Sequence, residues 1–302
     1  MNILVSGATG LVGKHLCNHL RNEGHQVKIL SRSVEKGQKA GFETVPWQPE
    51  TELPSPRAFA DVEAIVHLAG EPIAARRWDA EQKRRIRDSR VLSTRNLVAS
   101  LKSLDVRPKV FVCASAVGFY GNRGEEILTE QSRAGTGFLS EVCQQWEAEA
   151  AAASQLDIRV VHIRIGVVVA SDGSALQSML PIFQFGLGGA LGTGQQWFPW
   201  VHLDDVVGII KHAIYRENVN GAVNCVAPGI VRNEEFTWQL AKQLHRPAFL
   251  SVPSFALRVL LGEMADLLLM SSRIIPEVAI KSGYDFKFPS LDNALNDVLS
   301  VS

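Results

Sequence analysis

Ile3-Leu-Val-Ser-Gly-Ala-Thr-Gly-Leu-Val-Gly13 decides how the rest of the chain is read. Ile3, Leu4 and Val5 form a short apolar run of the kind a buried parallel strand needs. Gly7, Gly10 and Gly13 follow at intervals of three. A helical pattern then places Leu11, Val12, Leu16 and Leu20 on one side, with Gly24 as a stop. Strand, glycine turn and helix together make a dinucleotide-binding signature. Gly7 makes the turn, Gly10 lets backbone approach a pyrophosphate, and Gly13 lets helix pack closely on strand. The helix start offers free N–H groups and a positive dipole end to phosphate. Thr9, Leu11 and Val12 complete the expected cofactor contact.

Working outward, Gln26 to Leu30 reads as a second strand ending in Ser31-Arg32-Ser33. An acidic residue at this position would take the adenosine ribose hydroxyls and favour NAD. Arg32 between two serines suits a 2′-phosphate instead, so NADP is the expected cofactor. A third strand is expected near Thr44–Val45. Ala64-Ile-Val-His-Leu-Ala-Gly70 is a fourth, and Leu68, Ala69 and Gly70 should let the nucleotide pass close to its carboxyl end. His67 reads as packed within that strand. Lys109-Val-Phe-Val-Cys-Ala-Ser115 is a fifth strand, followed by Gly118-Phe-Tyr-Gly121. The fold class expected from this alternation is α/β, a Rossmann-like doubly wound parallel sheet. Residues 1–230 are assigned to it, with a lid of about residues 171–200 inserted. Residues 231–302 are assigned to a small, mostly helical C-terminal region.

The glycine spacing resembles the extended branch of the short-chain dehydrogenase/reductase superfamily. That resemblance implies catalytic roles for Ser115 and Tyr120, a cofactor contact for Arg164 in Arg164-Ile-Gly166, and His202 in the pocket wall. It also implies a Tyr-x-x-x-Lys pair on the next helix, where lysine lowers the tyrosine pKa from about 10. The helix beginning at Phe138 has neither residue. Cys143 and Glu147 stand there instead. Cys143 falls in an apolar i+4 stripe with Phe138, Val142, Trp146 and Ala150 and reads as core. Tyr120, Ser115 or a water is left to move a proton.

Further motifs narrow the resemblance. Ser-Ala-Val-Gly-Phe-Tyr-Gly, Trp146-Glu147, the Gly-Leu-Gly-Gly loop, Phe-Pro-Trp-Val-His-Leu-Asp-Asp and Gly-Tyr-x-Phe-x-Phe-Pro are similar to the YfcH-type epimerase family. This resemblance implies NADP binding and an oxidoreductase or epimerase acting on a small, possibly sugar-nucleotide, substrate. The missing pair motivates a second reading, an NADP-binding sensor or scaffold without turnover. Gly186 to Gly194, five glycines followed by large aromatics, is expected to form a mobile lid near the nicotinamide. Asp205 is expected to cap the following helix.

Several classes are excluded. A nucleotide-hydrolase phosphate loop fails because Ala8 and His15 occupy its glycine and hydroxyl positions. No Gly-x-Ser-x-Gly elbow supports a serine hydrolase. The 302 residues carry zero formal net charge, so no nucleic-acid partner is expected. Arg258, Glu263 and Asp266 interrupt the most apolar segment, so no membrane span is expected. No basic leader is visible, and four scattered cysteines suit a reduced cytoplasm. His15, His19 and Glu23 have metal-ligand spacing on one helix. With the other face packed on the sheet they are read as solvated, and no metal is expected. Reading Cys143 as core predicts that Cys143→Ala leaves cofactor affinity and any turnover nearly unchanged. Loss of activity at an unchanged melting temperature would contradict it.

Overall fold

The computed structural model describes residues 1–300. The apolar runs become a seven-stranded parallel sheet: β1 (Asn2–Ser6), β2 (Gln26–Ser31), β3 (Glu43–Pro46), β4 (Ala64–His67), β5 (Val110–Ala116), β6 (Arg159–Ile165) and β7 (Gly221–Cys225). Their spatial order is β7-β6-β5-β4-β1-β2-β3, and every neighbouring pair is parallel. The strand order reverses between β1 and β4, which is where such sheets open a crevice for a ligand.

Helices α1 (Leu11–Asn22), α2 (Val34–Lys39), α3 (Ala80–Leu101), α4 (Phe138–Ala151), α5 (Ala175–Gln184) and α6 (Leu203–Tyr215) follow the strands. On one sheet face, Leu16, Cys17 and Leu20 of α1 pack with Val206, Ile209 and Ile210 of α6. On the other, Leu97 and Leu101 of α3 pack with Trp146 and Ala150 of α4. His67 is fully buried in β4, as its neighbours dictate. Ser6 Oγ lies 2.5 Å from His67 Nδ1, and His67 Nε2 lies 3.2 Å from Ser93 Oγ. Ser93 spends its own proton on the Ser89 carbonyl. His67 Nε2 therefore donates and Nδ1 accepts, which satisfies a neutral ring.

Beyond the sheet lie α7 (Asn233–Gln243), α8 (Ser254–Leu261), α9 (Asp266–Leu269), α10 (Glu277–Lys281) and α11 (Leu291–Ser300). A separate apolar cluster joins α5, α7 and α11 through Phe183, Phe236, Leu240 and Leu295. The C-terminal region is not merely appended, because Tyr284 and Phe286 pack into the same core as α6. Asp205 of α6 is fully buried there. Its carboxylate accepts N–H bonds from Lys287 (2.8 Å) and Phe288 (2.9 Å) and the Tyr284 hydroxyl (2.9 Å). Asp205 does not cap α6, as its position suggested. His202 does, with Nδ1 accepting from the Asp204 N–H at 3.1 Å. The loop at residues 186–194 also differs from the expected free lid. Leu191 N–H bonds Asn233 Oδ1, and Gly192 N–H bonds the Val252 carbonyl. These bonds tie the loop to the C-terminal region.

Burial pushes the His67 pKa down from 6.5 to about 3. Between those values the unfolded chain binds a proton that the folded chain refuses, so stability rises with pH across the window. His67 should cost about 1.4 kcal/mol per pH unit as pH falls below 6.5. Urea unfolding at pH 7 and pH 5 should show a shallower acid loss for His67→Gln than for the wild type. Parallel losses would contradict this assignment.

Candidate functional site

At the crevice, Gly7 takes a left-handed turn with φ of +75°. A Cβ on Gly13 would sit 2.2 Å from the Gly7 carbonyl oxygen, and a Cβ on Gly7 would sit 2.6 Å from the Leu68 carbonyl carbon. Neither position accepts a side chain. Gly10 is the N-cap of α1 and supplies no side-chain cap. The first intrahelical bond runs from Lys14 to the Gly10 carbonyl, so the amides of Leu11, Val12 and Gly13 are free for a ligand. Thr9 and Gly10 are exposed beside them, and Gly70 is exposed just beyond β4.

At the end of β2, Ser31 Oγ donates to the Ser33 carbonyl and accepts the Ser33 N–H, both at 3.1 Å. Ser33 Oγ caps α2 by accepting from Lys36 N–H. The two serines thus build the turn, and Arg32 is left exposed on it. Among the described residues Arg32 has no ion-pair or hydrogen-bond partner.

The far side of the crevice holds a buried polar network. Ser115 near the end of β5 donates to Glu147 Oε1 at 2.6 Å. Glu147 holds Arg164 through two bonds, Nε at 2.9 Å and Nη2 at 2.8 Å. Arg164 Nη1 donates to the Tyr120 hydroxyl at 2.8 Å, and that hydroxyl donates to Asn224 Oδ1 at 2.6 Å. The Arg164 guanidinium also lies 3.5 Å from the Phe119 ring centroid.

Three expected roles fail on this geometry. Tyr120 is fully buried, and both its proton and an acceptor site are spent inside the protein. Burial raises its pKa, against the pull of Arg164. It is a strut between β5, β6 and β7, not an accessible proton donor. Arg164 is only 4% exposed and its guanidinium is consumed by Glu147 and Tyr120, so it has no free edge for a cofactor. His202 is likewise buried, capping α6 and stacking on Phe288 at 3.8 Å, not lining an open pocket. Cys143 is buried, its thiol donates to the Ala116 carbonyl at 3.7 Å, and burial pushes its pKa up to about 11. Such a thiol is a poor proton carrier at neutral pH.

Sequence reasoning underused Glu147. Its i+4 spacing from Cys143 put it where the superfamily's lysine stands, but a carboxylate carried no assigned role. Nothing in the sequence pointed to Glu130, whose Oε1 accepts the N–H groups of Asn224 (3.0 Å) and Val278 (3.1 Å). A cavity of about 510 Å³ opens between Trp78, Asn122, Thr136 and Phe138 on one side and Arg258 and Asp266 on the other. The Lys83–Glu263 and Arg258–Asp266 ion pairs stand at its wall.

Residues 3–225 match the NAD dependent epimerase/dehydratase family. The chain belongs to that family. Residues 252–298 match a domain of unknown function, DUF1731. The chain is 39% identical to the chloroplastic SDR39U1 homolog of Arabidopsis thaliana, an epimerase family protein, over 99% of this chain and 87% of that one. Human epimerase family protein SDR39U1 (isoform 2), solved with NADPH, superposes with a TM-score of 0.88 at 33% identity over 99% of both chains. UDP-glucuronic acid 4-epimerase from Bacillus cereus, solved with UDP-glucuronic acid and NAD, shares the fold with a TM-score of 0.79 at 15% identity over the whole of both chains. This is therefore an SDR39U1-like member with an NAD(P)-binding epimerase-family fold. Among the described residues no helix is long and apolar enough to cross a membrane.

Tyr120→Phe should lower stability by about 1–3 kcal/mol, since it strands the Asn224 carbonyl oxygen and an Arg164 N–H. Its dinucleotide affinity should stay at the wild-type value. Denaturant unfolding and cofactor titration on the same sample check both. A fully stable variant that has lost activity would restore Tyr120 as the proton donor.

Proposed function

We propose that this chain binds NADP(H) and acts as an oxidoreductase or epimerase on a small substrate of sugar-nucleotide type, without a Tyr-x-x-x-Lys pair. The observation that carries the cofactor choice is Arg32. It is an unpaired guanidinium on a turn that two serines hold in shape, one strand away from the phosphate-facing glycines. A 2′-phosphate there would gain a charge-assisted contact. Human SDR39U1, solved with NADPH, supports the same choice. Gly7, Gly10 and the free amides of Leu11, Val12 and Gly13 would hold the pyrophosphate, and Leu68, Ala69 and Gly70 would flank it. Bound there, the nicotinamide would take up or return a hydride.

The cavity at the start of α4, lined by Phe138, Leu139 and Ser140, is our candidate for the substrate. With Tyr120 withdrawn, Ser115 is our candidate for exchanging a proton with the substrate oxygen; it is also buried, at 3% exposure, and its hydroxyl would have to turn from Glu147 toward the substrate to act. Arg164 holds that carboxylate in place and acts as a positioning residue. The substrate class rests on kinship with sugar-nucleotide epimerases, and fold alone does not assign it. The absent pair and the locked Tyr120 favour a second reading, a cofactor-binding sensor without turnover. We place the protein in the cytoplasm, although the Arabidopsis relative is chloroplastic.

NADPH should bind more tightly than NADH, and Arg32→Ala should remove most of the difference. The contact is worth about 1.5–3 kcal/mol, or roughly tenfold or more in Kd. Fluorescence titration of the two reduced cofactors measures it, and equal wild-type affinities would overturn the NADP assignment. The same fluorescence, followed against a sugar-nucleotide panel with Ser115→Ala as control, separates enzyme from sensor.

A further inference from the structure

Away from the dinucleotide crevice, α1 and α6 run side by side and bring three side chains of metal-binding type to one point. His15 and His19 are one turn apart on α1, with ring centroids 4.9 Å apart. Glu23, the third member by spacing, is not part of the group, because it pairs with Lys211. The third member is Asp204 from the first turn of α6, whose Oδ1 lies 2.9 Å from His15 Nε2. One ligand atom from each of the three lies within 4.8 Å of the other two. No reading of α1 alone could find this, since Asp204 is 189 residues from His15.

We propose that His15, His19 and Asp204 form a binding site for a divalent ion of the zinc class, completed by water. Two imidazole nitrogens and one carboxylate oxygen suit Zn²⁺, Co²⁺, Ni²⁺ or Cu²⁺, whereas Mg²⁺ and Ca²⁺ prefer all-oxygen shells. Tetrahedral ligands about 2.0–2.1 Å from zinc stand about 3.4 Å from one another. The His15–Asp204 pair is already near that separation, and His19 needs only a side-chain rotation to join. His19 makes no side-chain hydrogen bond that would oppose the rotation. Lys287 Nζ holds Asp204 Oδ2 at 2.5 Å, which orients the carboxylate, and the ion would replace the proton between His15 Nε2 and Oδ1, that ring taking its Nδ1–H tautomer. His15 and His19 are accessible enough for solvent to supply the remaining ligand. The bound ion would staple α1 to α6, alongside the Glu23–Lys211 ion pair farther along the same two helices. This site is independent of the nucleotide reading.

The test uses the full chain after chelator treatment, titrated with Zn²⁺ by calorimetry and followed by thermal unfolding, with Mg²⁺ as the control. One Zn²⁺ should bind per chain and raise Tm; in His19→Ala the affinity should fall at least about tenfold and the rise in Tm should shrink with it. Mg²⁺ should leave Tm unchanged. His19→Ala should keep the wild-type Tm in chelator, because among the described residues the His19 side chain makes no hydrogen bond or ion pair in the ion-free protein. Asp204→Asn should weaken Zn²⁺ binding similarly. Wild-type binding weaker than about 1 mM, corresponding to less than about 4 kcal/mol, would overturn the proposal. So would equal binding by His19→Ala.

Discussion

The close approach of α1 to β1 is the constraint on which the rest of this molecule depends. Backbone of Gly13 lies directly against backbone of Gly7, and Gly7 against the turn after β4. No side chain separates the helix start from the sheet edge, so three free amides face the crevice where the strand order reverses. The sheet order, the two-sided helix cover and the position of the crevice all follow from seating α1 in this way. Substitution at either glycine would disturb the cofactor cradle and the helix–sheet packing together.

On the opposite wall, Tyr120 and Arg164 serve architecture. Each spends its polar atoms on neighbours. Arg164 is a buried cation, and a buried cation needs a partner. Glu147 of α4 supplies it, through two bonds to the guanidinium. Ser115 is attached to the same carboxylate and shares its fixed orientation.

Much of this was legible in the sequence. The first five strands of the sheet, the glycine turn, His67 in the core and the NAD(P)-binding fold all have local signatures, because strand runs and tight turns are short-range features. The failures were long-range. Tyr120 read as a free proton carrier because Asn224, its acceptor, is 104 residues away. Asp205 looked like a helix cap because its true partners lie 79 to 83 residues further on. The 186–194 loop looked free because its glycines permit motion, while the strand-like bridge from Leu191 to Val252 that holds it is invisible to local pattern.

Asp205 also bears on how such proteins can be cut and recombined. The family model ends at residue 225 and the second domain begins at residue 252, an apparent seam for a domain swap. Yet the carboxylate on the first side of that seam is wrapped by backbone from the second. A graft of a foreign C-terminal region would have to bring its own pair of amides and a hydroxyl to this one carboxylate. Without them it would leave a charge sealed in an apolar core. Modules that look separable as strings of letters are therefore a single inheritance unit, and exchange between relatives should succeed only where the donor sets a tyrosine hydroxyl and two backbone amides where Tyr284, Lys287 and Phe288 stand.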